Sequence, residues 1–227
     1  MDIPDFWHDI IDISLPITSG MPVWPGDPRP ELKAVSTLET AGFQVSQLTI
    51  GTHTGTHLDA PRHFISEGRT IDRLDLRTLV GRCRVIEVAR AEGHIAREDL
   101  QGFELHPGER VLLKTRNSLH LGSRSMASDL ASLQPTAADY LFEQGVALVG
   151  IDGPSIDAEN AGDFPCHRRL LGADILVVES LVLAGVKPGV YGLIAVPLNL
   201  VGADGCPIRA LLTRSECFDA SPTDARR

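Results

Sequence analysis

Five short runs of β-branched and aliphatic residues, CRVIEV, RVLLKT, ALVGID, ILVVESLVL and YGLIAVPL, recur between residues 83 and 198. Each is too short for a buried helix and is bounded by turn-forming residues, so the chain is constrained to build a sheet from many short strands. An earlier run, IIDISLPI, leads into the turn-rich SGMPVWPGDPRP, which exposes Trp24. ELKAVSTLET and FQVSQLTIGTH read as paired strands, with apolar alternation at Phe43 and Val45, then a change of face at Leu48 and Ile50. Helical segments are fewer. REDLQGFEL is weakly helical, and TAADYLFEQG has Thr136 as its expected N-cap and Gly145 as its stop. Sheet is expected to dominate, with residues 1–227 forming a single domain and the polar tail DASPTDARR, residues 219–227, frayed.

The net charge of −9 supplies no basic face for neutralising phosphates, which argues against nucleic acid as a partner. No apolar run approaches the roughly 18 residues of a membrane span, so no membrane association is expected. MDIPDFWHDI lacks a basic region followed by a long apolar stretch, and a cytoplasmic location is expected. Cys83, Cys166, Cys206 and Cys217 are widely spaced without a CxxC pair, and they read as reduced thiols.

The chemistry concentrates in THTGTHLDAPRHF, residues 52–64. As a helix this segment would put His53 and His57 on one face but turn Asp59 about 200° from His57, and Pro61 would break it. As an extended chain it sends His53, His57, Asp59 and His63, all at odd positions, to one side. Imidazoles and a carboxylate converging in this way are ligands for a divalent metal such as zinc, or for manganese, iron or cobalt. The segment has neither the adjacent glutamate nor the helical shape of an HExxH site.

Two further ionisable residues lack an ordinary explanation. Glu179 interrupts the apolar run ILVVESLVL, where an unpaired carboxylate is costly. It needs either a salt bridge, for which Arg168 and Arg169 are candidates, or a cation. His167 lies twelve residues earlier, near enough for a loop and a strand to unite the pair. Asp152 and Asp157 have the strand-end position of site residues, but turn capping is the expected role of both. Arg168 and Arg169 read as solvated or ion-paired rather than as anchors for a substrate carboxylate. Trp24 either lines the substrate entrance, stacking on an aromatic ring, or anchors its own loop.

The motif HTGTHLDAPRH at 53–63 resembles the metal-dependent cyclase family, whose best-characterised bacterial members are kynurenine formamidases. PVWPGD, GIDGPSID, HRRLL with ILVVESLVL, and PGVYGLIAVPL with ADGCPIRALL extend the resemblance over nearly the whole chain. The resemblance implies that His53, His57 and Asp59 hold one metal ion. It further implies that Asp59 bridges to a second ion held by His167 and Glu179, and that His63 is the catalytic acid/base. The fold it implies is a swivelling β/β/α domain, an α+β architecture around a mixed sheet or barrel-like core, assembled as a homodimer or higher homo-oligomer. The activity implied is hydrolysis of a small-molecule aryl formamide such as N-formyl-kynurenine by a metal-activated water, with one or two zinc ions or with manganese. Related alternatives are another amide, a lactam or a lactone, as in isatin hydrolases. A cyclase or dehydratase, or a non-catalytic metal-binding relative, stands further off. Where formamidases of this family often present an aromatic residue, NSLHLGSRSMASDLASLQP has none.

Overall fold

The structure, a computed structural model, describes residues 9–88, 93–119 and 130–218. Its strands are β1 (Ile11–Asp12), β2 (Glu31–Ser36), β3 (Val45–Thr49), β4 (His57–Asp59), β5 (Val80–Glu87), β6 (Arg110–Lys114), β7 (Leu148–Ile151), β8 (Leu176–Glu179), β9 (Gly189–Ile194), β10 (Gly205–Pro207) and β11 (Leu211–Arg214). The helices are α1 (Leu38–Ala41), α2 (Leu76–Leu79), α3 (Arg97–Leu100), α4 (Pro135–Glu143) and α5 (Pro165–Leu171). Among the described residues, nine strands form one sheet in the order β1-β11-β9-β5-β6-β7-β8-β4-β10, while β2 and β3 form a separate hairpin. Strands β5 to β8 are parallel neighbours, and the other pairings are antiparallel.

Bridges between Ser14 and Leu181 and between Pro197 and Ile208 join strands far apart in this order, curling the sheet into a half barrel. The strands alternate between two cores. Leu112, Leu148, Leu176 and Val178 point into the curl with Leu58 and Cys206. Val111, Leu113, Val149 and Val177 point outward, where Ala137, Leu141, Leu170 and other residues of the helical layer cover them. The architecture is the mixed α+β sheet that the family resemblance implies, and it is as poor in helix as the strand runs lead one to expect.

This alternation places the chemistry. His57 lies opposite Glu179, and Asp59 lies opposite Val177, in the β4–β8 ladder. Because Leu58 and Val178 face the inner core, period-two geometry turns His57, Asp59 and Glu179 to the outer face, the side covered by α5.

Several sequence expectations shift. The run ILVVESLVL is a strand only as far as Glu179, because Ser180 takes a left-handed φ of 56° and redirects the chain. Helix α4 begins at Pro135 with Gln134 as its N-cap, two residues before the expected Thr136. Proline lacks the N–H that the first helical turn leaves unpaired, and the Thr136 hydroxyl instead accepts from the Arg97 N–H at 3.4 Å. Gly145, with φ 67°, follows α4 as expected. The tail 219–227 and residues 120–129 of the aromatic-free stretch lie outside the described residues. Among the described residues no helix is long and apolar enough to cross a membrane.

Candidate metal centre

The histidine segment is not extended throughout, and the reason lies in its own glycine and proline. Only His57–Asp59 is strand; Gly55 before it has φ 65°, and Pro61 opens a single 3₁₀ turn, Pro61–His63, after it. The chain therefore bends on both sides of a short strand. His57 and Asp59 share a face by strand parity, whereas His53 and His63 are folded back over them, their rings stacked with centroids 3.9 Å apart.

The groups meet around Asp59, which is fully buried. Its Oδ1 lies 2.8 Å from His53 Nδ1 and 3.4 Å from His57 Nε2, while its Oδ2 lies 3.4 Å from His167 Nε2. Glu179 completes the cluster at 3.4 Å from His57 Nε2 and 3.0 Å from His167 Nε2. Two donor groups result, His53 with His57 and Asp59, and Asp59 with His167 and Glu179. Glu179 thus pairs with histidines and accepts the Ile156 N–H at 2.7 Å, not an arginine. Arg169 is paired with Asp139 at 2.7 Å, and Arg168 donates to the Asp163 carbonyl at 2.8 Å.

Each of the three clustered imidazoles also has a partner on its far nitrogen. His57 Nδ1 lies 2.8 Å from the Gly55 carbonyl, His167 Nδ1 lies 2.7 Å from Asp157, and His53 Nε2 lies 3.2 Å from Asp204. With those nitrogens protonated, the nitrogens facing the carboxylates are the lone-pair side, the arrangement found around metal-binding histidines.

The electrostatics agree. Burial opposes a charge on His57, yet Asp59 and Glu179 outweigh it and raise its pKa to about 10. Burial likewise opposes charge on His53, and Asp204 and Asp59 raise it to about 9. Glu179 and Asp157 hold His167 well above the usual imidazole range against its burial. Burial would raise Asp59, but the facing imidazoles of His167, His53 and His57 keep its carboxyl well below the usual range. Buried carboxylates that attract this much positive charge suit a divalent cation in place of the ring protons. Asp59 Oδ2, buried without a hydrogen-bond donor, is a lone pair of the kind that such a cation satisfies. The residues present fit a divalent metal.

Sequence reasoning set aside one support of this cluster, Asp157, and missed two, Asp204 and Gly205. Asp157 does more than cap a turn, since it accepts the Cys166 and His167 N–H groups at the start of α5 as well as the His167 ring. Asp152, by contrast, is the expected turn clamp, accepting from the backbone and hydroxyls of Thr115 and Ser118. Asp204 and Gly205 carry only a weak signal, an Asp-Gly pair before a short strand. Gly205 lies opposite Asp59, and a Cβ there would meet His53 Cε1 at 2.4 Å. Glycine is what leaves room for the His53 ring.

His63 sits at the rim, 27% exposed, with Nδ1 3.7 Å from Asp204 Oδ2. Trp24 lines a cleft of about 450 Å³ together with Ser132, Ser155, Asp157 and Glu159. Asp157 lines this cleft and holds His167 from the side away from Asp59 and Glu179, and none of the clustered side chains lines it.

The Cyclase family profile matches residues 11–158. The kynurenine formamidase of Geobacillus thermodenitrificans (strain NG80-2) is 40% identical over 205 residues, covering 90% of this chain and 97% of that relative. Among solved structures, a potential metal-dependent hydrolase with cyclase activity superposes with a TM-score of 0.80 at 32% identity, covering 94% of this chain and 98% of that one. An isatin hydrolase bound to thioisatinate shares the fold, with a TM-score of 0.79 at 24% identity over 90% of this chain and 91% of that one. With a profile spanning most of the chain and a near full-length relative at this identity, the chain belongs to the Cyclase family.

Proposed function

We propose that this chain is a metal-dependent hydrolase of carbon–nitrogen bonds that cleaves a small aryl formamide, N-formyl-kynurenine being the best candidate, to formate and the free amine. The observation that carries this reading is one buried carboxylate, Asp59, shared by two imidazole–carboxylate groups, with a further histidine, His63, stacked at their rim. The near full-length kynurenine formamidase relative supports the substrate class.

His53, His57 and Asp59 would hold one divalent ion, and Asp59, His167 and Glu179 a second; zinc suits this nitrogen and oxygen set, and manganese is the nearest alternative. Such an ion supplies Lewis acidity at the amide oxygen and makes water a better acid at neutral pH. The remaining work falls to side chains. His63 accepts a proton from the attacking water and delivers it to the leaving nitrogen, so that the amine departs neutral, and the formic acid left behind releases its own proton to solvent to become formate. Trp24, half-buried in the loop before β2, would offer an aromatic face for the aryl ring.

Steady-state hydrolysis of N-formyl-kynurenine tests this directly. Turnover should vanish on chelation and return with zinc or manganese, with kcat/KM on the order of 10⁴ to 10⁸ M⁻¹s⁻¹. A metal-loaded protein that leaves this formamide intact would overturn the substrate assignment.

The functional unit we propose is a homodimer. The β2–β3 hairpin stands apart from the main sheet and exposes Leu32, Val35, Leu38, Phe43, Val45 and Leu48, each between 47% and 63% accessible. An isolated two-stranded hairpin is marginal in water, and a second copy of the chain would cover this apolar face. Leu32 and Leu48 are cross-strand partners. Replacing both with glutamate is expected to convert a dimer to a monomer of 24.5 kDa by light scattering; an unchanged mass would exclude the hairpin from the interface. The buried, unbridged thiols of Cys83, Cys166 and Cys206 fit a reducing compartment.

A further inference from the structure

The three side chains His53, His63 and Asp204 form a second cluster, on the solvent side of the buried one. One oxygen, Asp204 Oδ2, lies 3.2 Å from His53 Nε2 and 3.7 Å from His63 Nδ1. From this we propose that Asp204 is a positioning residue that sets the orientation of both rings, the metal-facing imidazole of His53 and the proton-carrying imidazole of His63. The inference deepens the hydrolase reading and rests on it for the role of His63.

The placement of Asp204 is fixed by backbone rather than by its own exposed side chain. Its carbonyl accepts the Ala60 N–H at 2.9 Å, and the neighbouring Ala203 carbonyl accepts the Ile71 N–H at 2.9 Å. Residue 204 is thereby tied to the start of the turn that carries His63, while β10 follows immediately and pairs with β4. Gly205 then removes the side chain that would strike the His53 ring. The Asp204–Gly205 pair seats His53 by shape and by hydrogen bond at once.

His63 has fewer constraints. Its ring is stacked on His53 and lies edge-on to Phe64 with centroids 4.4 Å apart, contacts that restrain its plane without selecting a tautomer. A carboxylate beside Nδ1 selects the Nδ1–H form and leaves Nε2 to exchange the proton, the same logic by which an aspartate orients the histidine of a serine hydrolase. At 3.7 Å the contact with His63 is longer than a hydrogen bond, and a small ring movement would close it.

The test uses Asp204→Asn, Asp204→Glu, His63→Ala and the double variant His63→Ala/Asp204→Asn in the full chain. Competition with a chromophoric chelator should show zinc held roughly tenfold more weakly by Asp204→Asn, the usual consequence of losing a carboxylate behind a ligand histidine, with Asp204→Glu closer to wild type. Proton–nitrogen correlation spectra of the histidine rings should show His63 as the Nδ1–H tautomer in the wild type and not in Asp204→Asn. At saturating zinc, Asp204→Asn should lower kcat more than it changes KM, and adding it to His63→Ala should cost clearly less than it does alone, the remainder acting through His53. Unchanged zinc affinity, an unchanged His63 tautomer or multiplicative losses in the double variant would each overturn the proposal. The affinity and tautomer measurements need no turnover, so a failure of the formamidase reading would be visible separately, as an inactive wild type with both responses intact.

Discussion

Replacing His63 with alanine is expected to leave the metal content of the protein at its wild-type value and to cut kcat by about 10²- to 10⁴-fold, the range for a lost general acid/base. The two halves of this expectation come from different parts of the geometry. Metal content should hold because the two buried donor groups around Asp59 do not include His63. Turnover should fall because amide nitrogen is a poor leaving group until protonated, and His63 is the rim histidine stacked directly over that cluster. Elemental analysis beside steady-state kinetics separates the two. If zinc is lost along with activity, His63 is a ligand; if kcat is unchanged, it has no part in the chemistry.

Much of this arrangement is legible in the amino-acid sequence. The short apolar runs mark the strands, and the odd spacing of His57 and Asp59 puts both on one face because β4 spans them. The same parity argument fails for His53 and His63, although the convergence it expects is present. Gly55 and Pro61 make turns, and a turn can return a side chain to a face that alternation alone cannot guarantee. Glu179 is visible as a carboxylate where the strand should be apolar, because burying a charge leaves a conspicuous break in a hydrophobic pattern. Its partner His167 is visible only through proximity in sequence, and it sits in the first turn of α5 rather than on a loop.

Residues acting through backbone contacts leave little trace. Asp157 looks in sequence like any carboxylate after a strand, and only the fold brings it to the N–H groups of α5 and the His167 ring. Gly205 matters for the side chain it lacks, and His53 is 152 positions away along the chain. A contact of that separation is set by the order β8-β4-β10, which joins strands through two antiparallel ladders. Local propensity contains no information on that order, so the supports of the site are invisible in the sequence while its ligating groups are not.

Asp59→Asn carries the other large expected effect, and it acts on metal retention rather than on proton transfer. The two carboxylate oxygens face different partners, Oδ1 the His53 and His57 rings and Oδ2 the His167 ring. An amide of nearly the same shape keeps one acceptor oxygen, loses the negative charge and turns an NH₂ toward one of the two groups. Whichever group receives the NH₂ meets a donor where a cation needs a lone pair, and the other loses charge attraction in a site sealed from water, where such attraction is least screened. Zinc retained after dialysis should therefore fall sharply, and formamide hydrolysis should drop below that of His63→Ala, since both the Lewis acid and the order of the rings are lost. A far-ultraviolet circular dichroism spectrum matching wild type would show that the sheet survives. Full zinc occupancy in Asp59→Asn would mean that the two groups do not depend on a shared carboxylate, and the proposed bridging role would fall while the role of His63 would stand.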